Sequence, residues 1–142
     1  MRIFTLLAAA VLLSSSVFGQ KAADQPDTRL FELRTYHAMP GKLDMLLARF
    51  RDHTTGLFEK HGMTNLGYFQ PVAGQPGTDD TLLYFLAHKD AASAGESWKA
   101  FRSDPAWLAV KKASEDAAGG SLTVPDGVKA ILLRPTDFSP VR

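Results

Sequence analysis

The chain has 142 residues, with 16 lysines and arginines against 15 aspartates and glutamates, and it contains no cysteine. The missing cysteines exclude disulfides, thiolate nucleophiles and thiolate metal sites. The balanced charge offers no basic surface of the kind that attracts nucleic acid or an anionic membrane, so neither is expected as a partner.

Residues 1–19 have the pattern of a secretory signal peptide. Arg2 precedes an apolar run over residues 3–13, and small residues then end at Gly19, where we expect cleavage. The apolar run is shorter than the roughly 20 residues of a membrane span, so a retained anchor is the weaker alternative. The predicted product is an exported protein, periplasmic or secreted. The predicted division is a signal peptide over residues 1–19, a polar tether over residues 20–28 and one domain over residues 29–138.

Residues 31–36 predict the first strand and give it two different faces. Apolar residues alternate there with Glu32, Arg34 and Tyr36, which is the two-residue period of a strand. One face is expected to lie on the core. The other face places an acid, a base and a phenol about 7 Å apart from one to the next, and this is where we expect function.

The remaining elements follow from apolar periodicity and turn residues. An amphipathic helix is predicted from Pro40 to about Lys60, where His61 and Gly62 end it. Asp90 and Asp104 are placed to begin two further helical stretches, which end at Gly119 and Gly120. The later strands are predicted over residues 65–72, 81–88 and 128–133, with a turn-rich loop over residues 73–80.

The order strand, helix, strand, strand, helix, strand predicts an α+β, ferredoxin-like subunit of the split βαβ kind. It has a four-stranded antiparallel sheet with both helices on one face. We expect Tyr68 and Tyr84 to join Glu32, Arg34 and Tyr36 on the face without helices. Such a face is too apolar to remain in water, so a second subunit is expected to cover it and to enclose a cavity.

Five short motifs occur in order between residues 31 and 107. With the predicted elements they make the chain resemble the NIPSNAP family, within the group of dimeric α+β barrels, over about residues 29–133. The resemblance implies a ferredoxin-like subunit and a homodimer. The motifs are Phe31-Glu32-Leu33-Arg34-Thr35-Tyr36, Pro40-Gly41-Lys42, Glu59-Lys60-His61-Gly62, Gly67-Tyr68-Phe69 and Asp104-Pro105-Ala106-Trp107.

The polar face of the first strand supplies the candidate site. Arg34 is suited to hold an anionic or enolate oxygen, Tyr36 to donate a hydrogen bond, and Glu32 to pair with Arg34 and orient it. An internal ion pair that fixes the dimer interface is an equally good interpretation. The candidate ligand-binding residues are Glu32, Arg34, Tyr36, Tyr68 and Tyr84, and the candidate catalytic residues are Arg34, Tyr36 and His37.

The histidines give no metal site. His37 would be the natural general base, although a solvated loop histidine is the more common case. His53 and His61 are eight residues apart and are expected at the surface, while His88 should lie at the opposite end of the sheet from His37. We therefore predict no metal and no cofactor, although a haem held by one histidine across a dimer stays open.

Three functions are compatible with these residues. The first is binding of a small, partly apolar molecule in the cavity between subunits. The second is a cofactor-independent oxygenase or isomerase acting on an enolisable or aromatic substrate. The third is a dimerisation or interaction module with no ligand. Whichever applies, Trp98, Phe101 and Trp107 lie at helical spacings and are expected in the core.

Overall fold

The structure is a computed structural model that describes residues 29–141. The predicted signal peptide over residues 1–19 and the predicted tether over residues 20–28 lie outside the described residues. Within residues 29–141, no helix is long and apolar enough to cross a membrane.

One four-stranded antiparallel sheet, in the order β2-β3-β1-β4, carries the helices on one face. This confirms the predicted α+β, ferredoxin-like subunit. The second strand ends at Phe69, before Pro71, which has no N–H to donate to a neighbouring strand. The elements are β1 (Leu30–Ala38), α1 (Leu43–Arg49), a π-helical turn (Phe50–Thr54), α2 (Thr55–Lys60), β2 (Thr64–Phe69), β3 (Thr81–His88), α3 (Ala91–Ser103), α4 (Pro105–Ala118) and β4 (Thr123–Leu133).

The π-helical turn keeps one face of the first helical stretch on the core. Leu46, Phe50, Thr54 and Phe58 are at most 3% exposed and lie four residues apart. In an α-helix of 3.6 residues per turn, each such step turns the side chain ahead by about 40°, so three steps would carry Phe58 about 120° off the core. The wider π turn removes part of this drift. The Thr54 hydroxyl also donates to the Arg49 carbonyl (3.1 Å), which ties the turn together.

Asp104 separates α3 from α4 and fastens both to the end of α2. Its carboxylate accepts a hydrogen bond from Ala106 N (2.8 Å) and so caps α4. The same carboxylate accepts from Lys60 Nζ and His61 Nε2, both at 2.7 Å, and these hydrogen bonds hold the pKa of Asp104 well below its usual range. The expectation that His61 lies at the surface was wrong, because this contact leaves its side chain 15% exposed.

The structure places the polar residues of β1 on the face of the sheet opposite to the one that the sequence analysis predicted. Glu32, Arg34 and Tyr36 point towards the helices, where they contact Trp98 and Phe50. Fully buried Tyr84, with Leu82 and Leu86, lies on the same face, and Tyr68 packs beside it. The placement of these residues on the open face was therefore wrong. The polar groups can be buried because the helices and β3 supply them with hydrogen-bond partners.

Gly127 marks a close approach between β4 and β1. A Cβ at this position would lie 2.9 Å from the Val124 carbonyl oxygen and 3.0 Å from the His37 carbonyl oxygen. We expect Gly127→Ala to lower the free energy of unfolding by about 1–3 kcal/mol, because backbone oxygens cannot easily move aside. Urea denaturation measures this effect.

The matched control is Gly95→Ala in α3, where a Cβ would meet nothing within 4 Å. It should raise the free energy of unfolding by about 0.5–1 kcal/mol, because alanine favours the helix over glycine. Equal effects of the two substitutions would contradict the close approach at Gly127.

Candidate functional site

The carboxylate of Glu32 is the centre of a buried polar cluster between the sheet and the helices. Its Oε1 accepts from Arg34 Nη1 (2.8 Å), and its Oε2 accepts from Trp98 Nε1 (2.7 Å) and His88 Nε2 (2.9 Å). Burial alone would raise the pKa of Glu32. The hydrogen bonds from His88, Trp98 and Arg34 outweigh that effect and lower the pKa from 4.5 to about 2. Glu32 is therefore a buried carboxylate that stays ionised at neutral pH.

Three elements bring these partners together. Glu32 and Arg34 are two residues apart on β1, so they share a face and pair directly, as predicted. His88 ends β3, which runs antiparallel beside β1, and Trp98 lies on the buried side of α3. Trp98 was predicted as a core residue, which it is, but its indole N–H also donates to the cluster.

The guanidinium group of Arg34 lies over two aromatic rings. Its Cζ lies 4.1 Å from the Trp98 ring centroid and 5.7 Å from the Tyr36 ring centroid, and the side chain is 15% exposed. Burial disfavours the charge, but the Tyr84 and Tyr36 oxygens and the Glu32 carboxylate favour it, so the pKa of Arg34 is raised. The Nε of Arg34 has no hydrogen-bond partner among the described residues.

Three tyrosines continue the cluster under the helices. The Tyr84 ring lies 5.5 Å from the Tyr36 ring and 5.2 Å from the Tyr68 ring, between centroids. Tyr68 Oη donates to Asn65 Oδ1 (2.5 Å), whereas Tyr84 Oη has no hydrogen-bond partner of normal geometry in residues 29–141. Burial raises the pKa of Tyr84 well above its usual value, so its phenol is a neutral donor.

Arg49 belongs to the same region, and the sequence analysis missed it. Its side chain is 5% exposed, its Cζ lies 5.3 Å from the Trp107 ring centroid, and its Nε has no partner in the described part of the chain. Burial lowers the pKa of Arg49, although the Tyr36, Glu115 and Tyr84 oxygens partly oppose that effect. The signal was its position, because Arg49 lies on the apolar stripe between Leu46 and Phe50.

His37 does not join Arg34 and Tyr36. It lies on the other face of β1, 40% exposed, with Nδ1 3.1 Å from Thr81 Oγ1 and 3.7 Å from Asp80 Oδ1. His88 pairs with the opposite end of β1, as predicted. Within residues 29–141, no three histidine, aspartate or glutamate side chains are grouped so that they could hold a metal ion.

The open face of the sheet carries an apolar groove of about 590 Å³ instead of the polar cluster. The segment after β4 forms one side of it, through Arg134, Pro135 and Val141. The sheet contributes the remaining apolar lining, which includes Phe31, Leu66, Phe69, Phe85 and Leu133. The polar groups and the apolar groove therefore lie on opposite faces of one sheet.

The arrangement under the helices can bind an oxygen acceptor. Arg34 Nε and Arg49 Nε are buried donors without partners among the described residues, and buried Tyr84 Oη has the Tyr36 phenol beside it but makes no hydrogen bond of normal geometry there. Each such donor costs about 1–3 kcal/mol when it stays unpaired. An anionic or carbonyl oxygen placed among them would recover part of this cost.

The depressed pKa of Glu32 makes stability depend on pH. Because the folded pKa is about 2 and the usual value is 4.5, the paired carboxylate stabilises the fold by roughly 3 kcal/mol above pH 4.5. This contribution should be lost as the pH falls from 4.5 to 2. We expect Glu32→Gln to remove that part of the pH dependence, as measured by urea denaturation across this range.

Glu96→Gln is the control, because Glu96 is exposed on α3. It should leave the acid limb of the profile unchanged. A Glu32→Gln variant with the wild-type pH profile would contradict the role of this carboxylate.

The comparisons with known proteins agree with this fold. Over 83% of its length the chain resembles a NIPSNAP family protein of unknown function from Agrobacterium tumefaciens, with 20% identity, a TM-score of 0.67 and 97% of that chain covered. Over 80% it resembles an uncharacterised NIPSNAP-like domain protein from Burkholderia xenovorans, with 17% identity, a TM-score of 0.65 and 90% of that chain covered. Over 80% it also resembles SnoaB, a cofactor-independent oxygenase from Streptomyces nogalater, with 10% identity, a TM-score of 0.50 and 98% of that chain covered.

At these identities the similarities describe the fold alone. None of the curated proteins compared with the chain is significantly similar to it. The sequence model of the NIPSNAP family matches residues 31–140, which is most of the chain and includes β1 with its Glu32 and Arg34. This protein therefore belongs to the NIPSNAP family.

Proposed function

We propose that the protein binds a small, partly apolar molecule with an anionic or enolic oxygen, inside each subunit between the sheet and the helices. The observation that carries the proposal is a set of three buried donors. Arg34 Nε and Arg49 Nε have no partner among the described residues, and Tyr84 Oη has the Tyr36 phenol beside it but no hydrogen bond of normal geometry. The Trp98 and Tyr36 rings lie near Arg34 and the Trp107 ring lies near Arg49, and such rings suit an apolar or aromatic body. The proposed site is thus in the subunit interior and not in a cavity between subunits.

A purely structural role accounts for only half of the cluster. The Glu32–Arg34 pair is satisfied by hydrogen bonds from His88 and Trp98, and it would fix the packing of α3 on the sheet without any ligand. The same role gives no reason for Arg34 Nε to be buried without a partner, or for Tyr84 Oη to be buried without a hydrogen bond of normal geometry. A ligand oxygen supplies that reason.

We also propose that the protein is exported and that it forms a homodimer through the open face of the sheet. Leu66 and Phe69 line the apolar groove and are 46% and 54% exposed. Ile131 is 56% exposed and pairs with Leu33 of β1, on the same face of the sheet. A surface of this kind is costly in water, and a second copy with the same surface would bury it in a two-fold symmetric contact.

Benzoate is a suitable probe for the interior site, because it is a small aromatic molecule with one carboxylate. We expect Arg34→Ala to raise its dissociation constant at least about tenfold, since a charge-assisted hydrogen bond is lost. Titration followed through the indole N–H signals of the two tryptophans measures the change.

His37→Ala is the matched control, because His37 lies on the other face of β1. It should leave the affinity for benzoate unchanged, and circular dichroism checks that both variants are folded. Wild-type protein that does not bind benzoate and carries no small molecule after purification would favour the interaction module over ligand binding.

The dimer is tested separately by a charge on the open face. Ile131→Glu introduces the carboxylate at two symmetry-related places, so the dimer dissociation constant should rise at least about a hundredfold. Native mass spectrometry measures the change, with Lys112→Glu on the exposed side of α4 as the control. A wild-type monomer, or an Ile131→Glu variant that remains a dimer, would contradict the proposed interface.

A cofactor-independent oxygenase or isomerase is the second candidate, and His88 is the observation that favours it. The Nε2 of His88 donates a hydrogen bond to Glu32, while the buried Nδ1 of His88 has no hydrogen-bond partner among the described residues. A histidine oriented by a carboxylate is a common general base. SnoaB is a cofactor-independent oxygenase, and it shares the fold with this chain. Consumption of a bound enolisable acid, followed over time after mixing, would favour turnover over simple binding.

A further inference from the structure

Arg34 and Arg49 are both buried, but they differ in how their charge is balanced. Arg34 Nη1 is 2.8 Å from Glu32 Oε1, whereas Arg49 Nη1 is 4.0 Å from Glu115 Oε1 and 3.4 Å from the Ser114 hydroxyl. A buried charge is costly unless a close partner compensates it. Of the two buried arginines, Arg49 therefore has the less compensated charge, and the lowering of its pKa by burial agrees with this.

A groove between α1 and α4 leads from the surface to Arg49. It has a volume of about 510 Å³, within the range of small-molecule sites. Small side chains leave space between the two helices along it. Its lining includes Met45, Ala48 and Arg49 from α1, and Ala109, Ala113 and Ser114 from α4.

Arg49 also faces the tyrosines of the interior site. Phe50, the next residue after Arg49, contacts both tyrosine rings, at 5.4 Å from Tyr36 and 5.2 Å from Tyr84 between centroids. The Tyr36 and Tyr84 oxygens favour the charged form of both Arg49 and Arg34, which agrees with this proximity. The groove at Arg49 therefore lies next to the packing around the tyrosines of the interior site.

We propose that the groove between α1 and α4 is the route by which the ligand enters, and that Arg49 holds its anionic group. This inference deepens the proposed function and rests on it. Because Glu32 already neutralises the charge of Arg34, Arg34 and Tyr84 supply hydrogen bonds to the ligand while Arg49 supplies the balancing charge. The ligand class is a small aromatic or apolar acid with a single anionic group.

The charge assignment is tested with benzoate and its neutral analogue benzamide on the folded full-length protein. Wild-type protein should prefer benzoate at least about tenfold, because a charge-assisted hydrogen bond to a buried cation exceeds a neutral one. Arg49→Gln should remove this preference by weakening benzoate binding, with a much smaller effect on benzamide. The indole N–H signals of Trp98 and Trp107 report binding at both ends of the site.

The outcomes separate this inference from the proposed function. Wild-type protein that binds neither probe would overturn both. Loss of binding in Arg34→Ala, together with an unchanged benzoate preference in Arg49→Gln, would keep the interior site and overturn the role of Arg49. Equal wild-type affinities for benzoate and benzamide would also overturn it.

The absence of cysteine allows the route itself to be blocked at one place. Ala113→Cys places a single thiol on the exposed lining of the groove, and a bulky maleimide attached there should reduce benzoate affinity at least tenfold. The unlabelled variant should bind normally. The control is Lys112→Cys with the same label, next in sequence and with its side chain in solvent. Normal benzoate binding by labelled Ala113→Cys would overturn the entry route.

Discussion

The structure depends on one buried carboxylate. Glu32 is 3% exposed, so it is stable only because Arg34, His88 and Trp98 all donate to it. These donors come from β1, β3 and α3, so one charge ties two strands and a helix into a fixed arrangement. The arrangement also decides which face of β1 lies under the helices, because turning the strand over would separate the carboxylate from its partners on the helix side. The orientation of the arginine and the aromatic rings follows from it.

Periodicity and turn residues predicted the order of the elements, because the sequence signals for each helix and strand are local to that element. The pairing of Glu32 with Arg34 was also predictable, since two residues on one strand face must meet. The face was not predictable in the same way. An alternating strand normally directs its polar side outwards, and the residues that reverse this, His88 and Trp98, lie 56 and 66 positions away in the chain. Only tertiary contact shows that the charge is fully satisfied in the interior.

Arg49 illustrates a signal that sequence reading can use. A charged residue between Leu46 and Phe50 breaks an otherwise apolar stripe, and such a break indicates either a register error or a buried charge. The π-helical turn that follows it made the pattern harder to interpret, because four-residue spacing looks like drift in a regular helix and yet stays on one face here. His61 was misjudged for a related reason. Its partner Asp104 is 43 residues away, and no local pattern connects the two.

The two faces of the sheet would keep apart the two proposed tasks, dimer formation and ligand binding. The open face is apolar and suits association with another copy, while the helix face holds the hydrogen-bonding groups that suit a ligand. Both faces share β1, which is hydrogen-bonded on one edge to β3 and on the other to β4, so its backbone cannot shift easily. Polar groups on such an element keep their geometry before anything binds, which reduces the ordering cost of binding. The groove between α1 and α4 is lined by residues of the helical segments and by none of the open face, so a ligand that entered there would leave the open face free for a second copy.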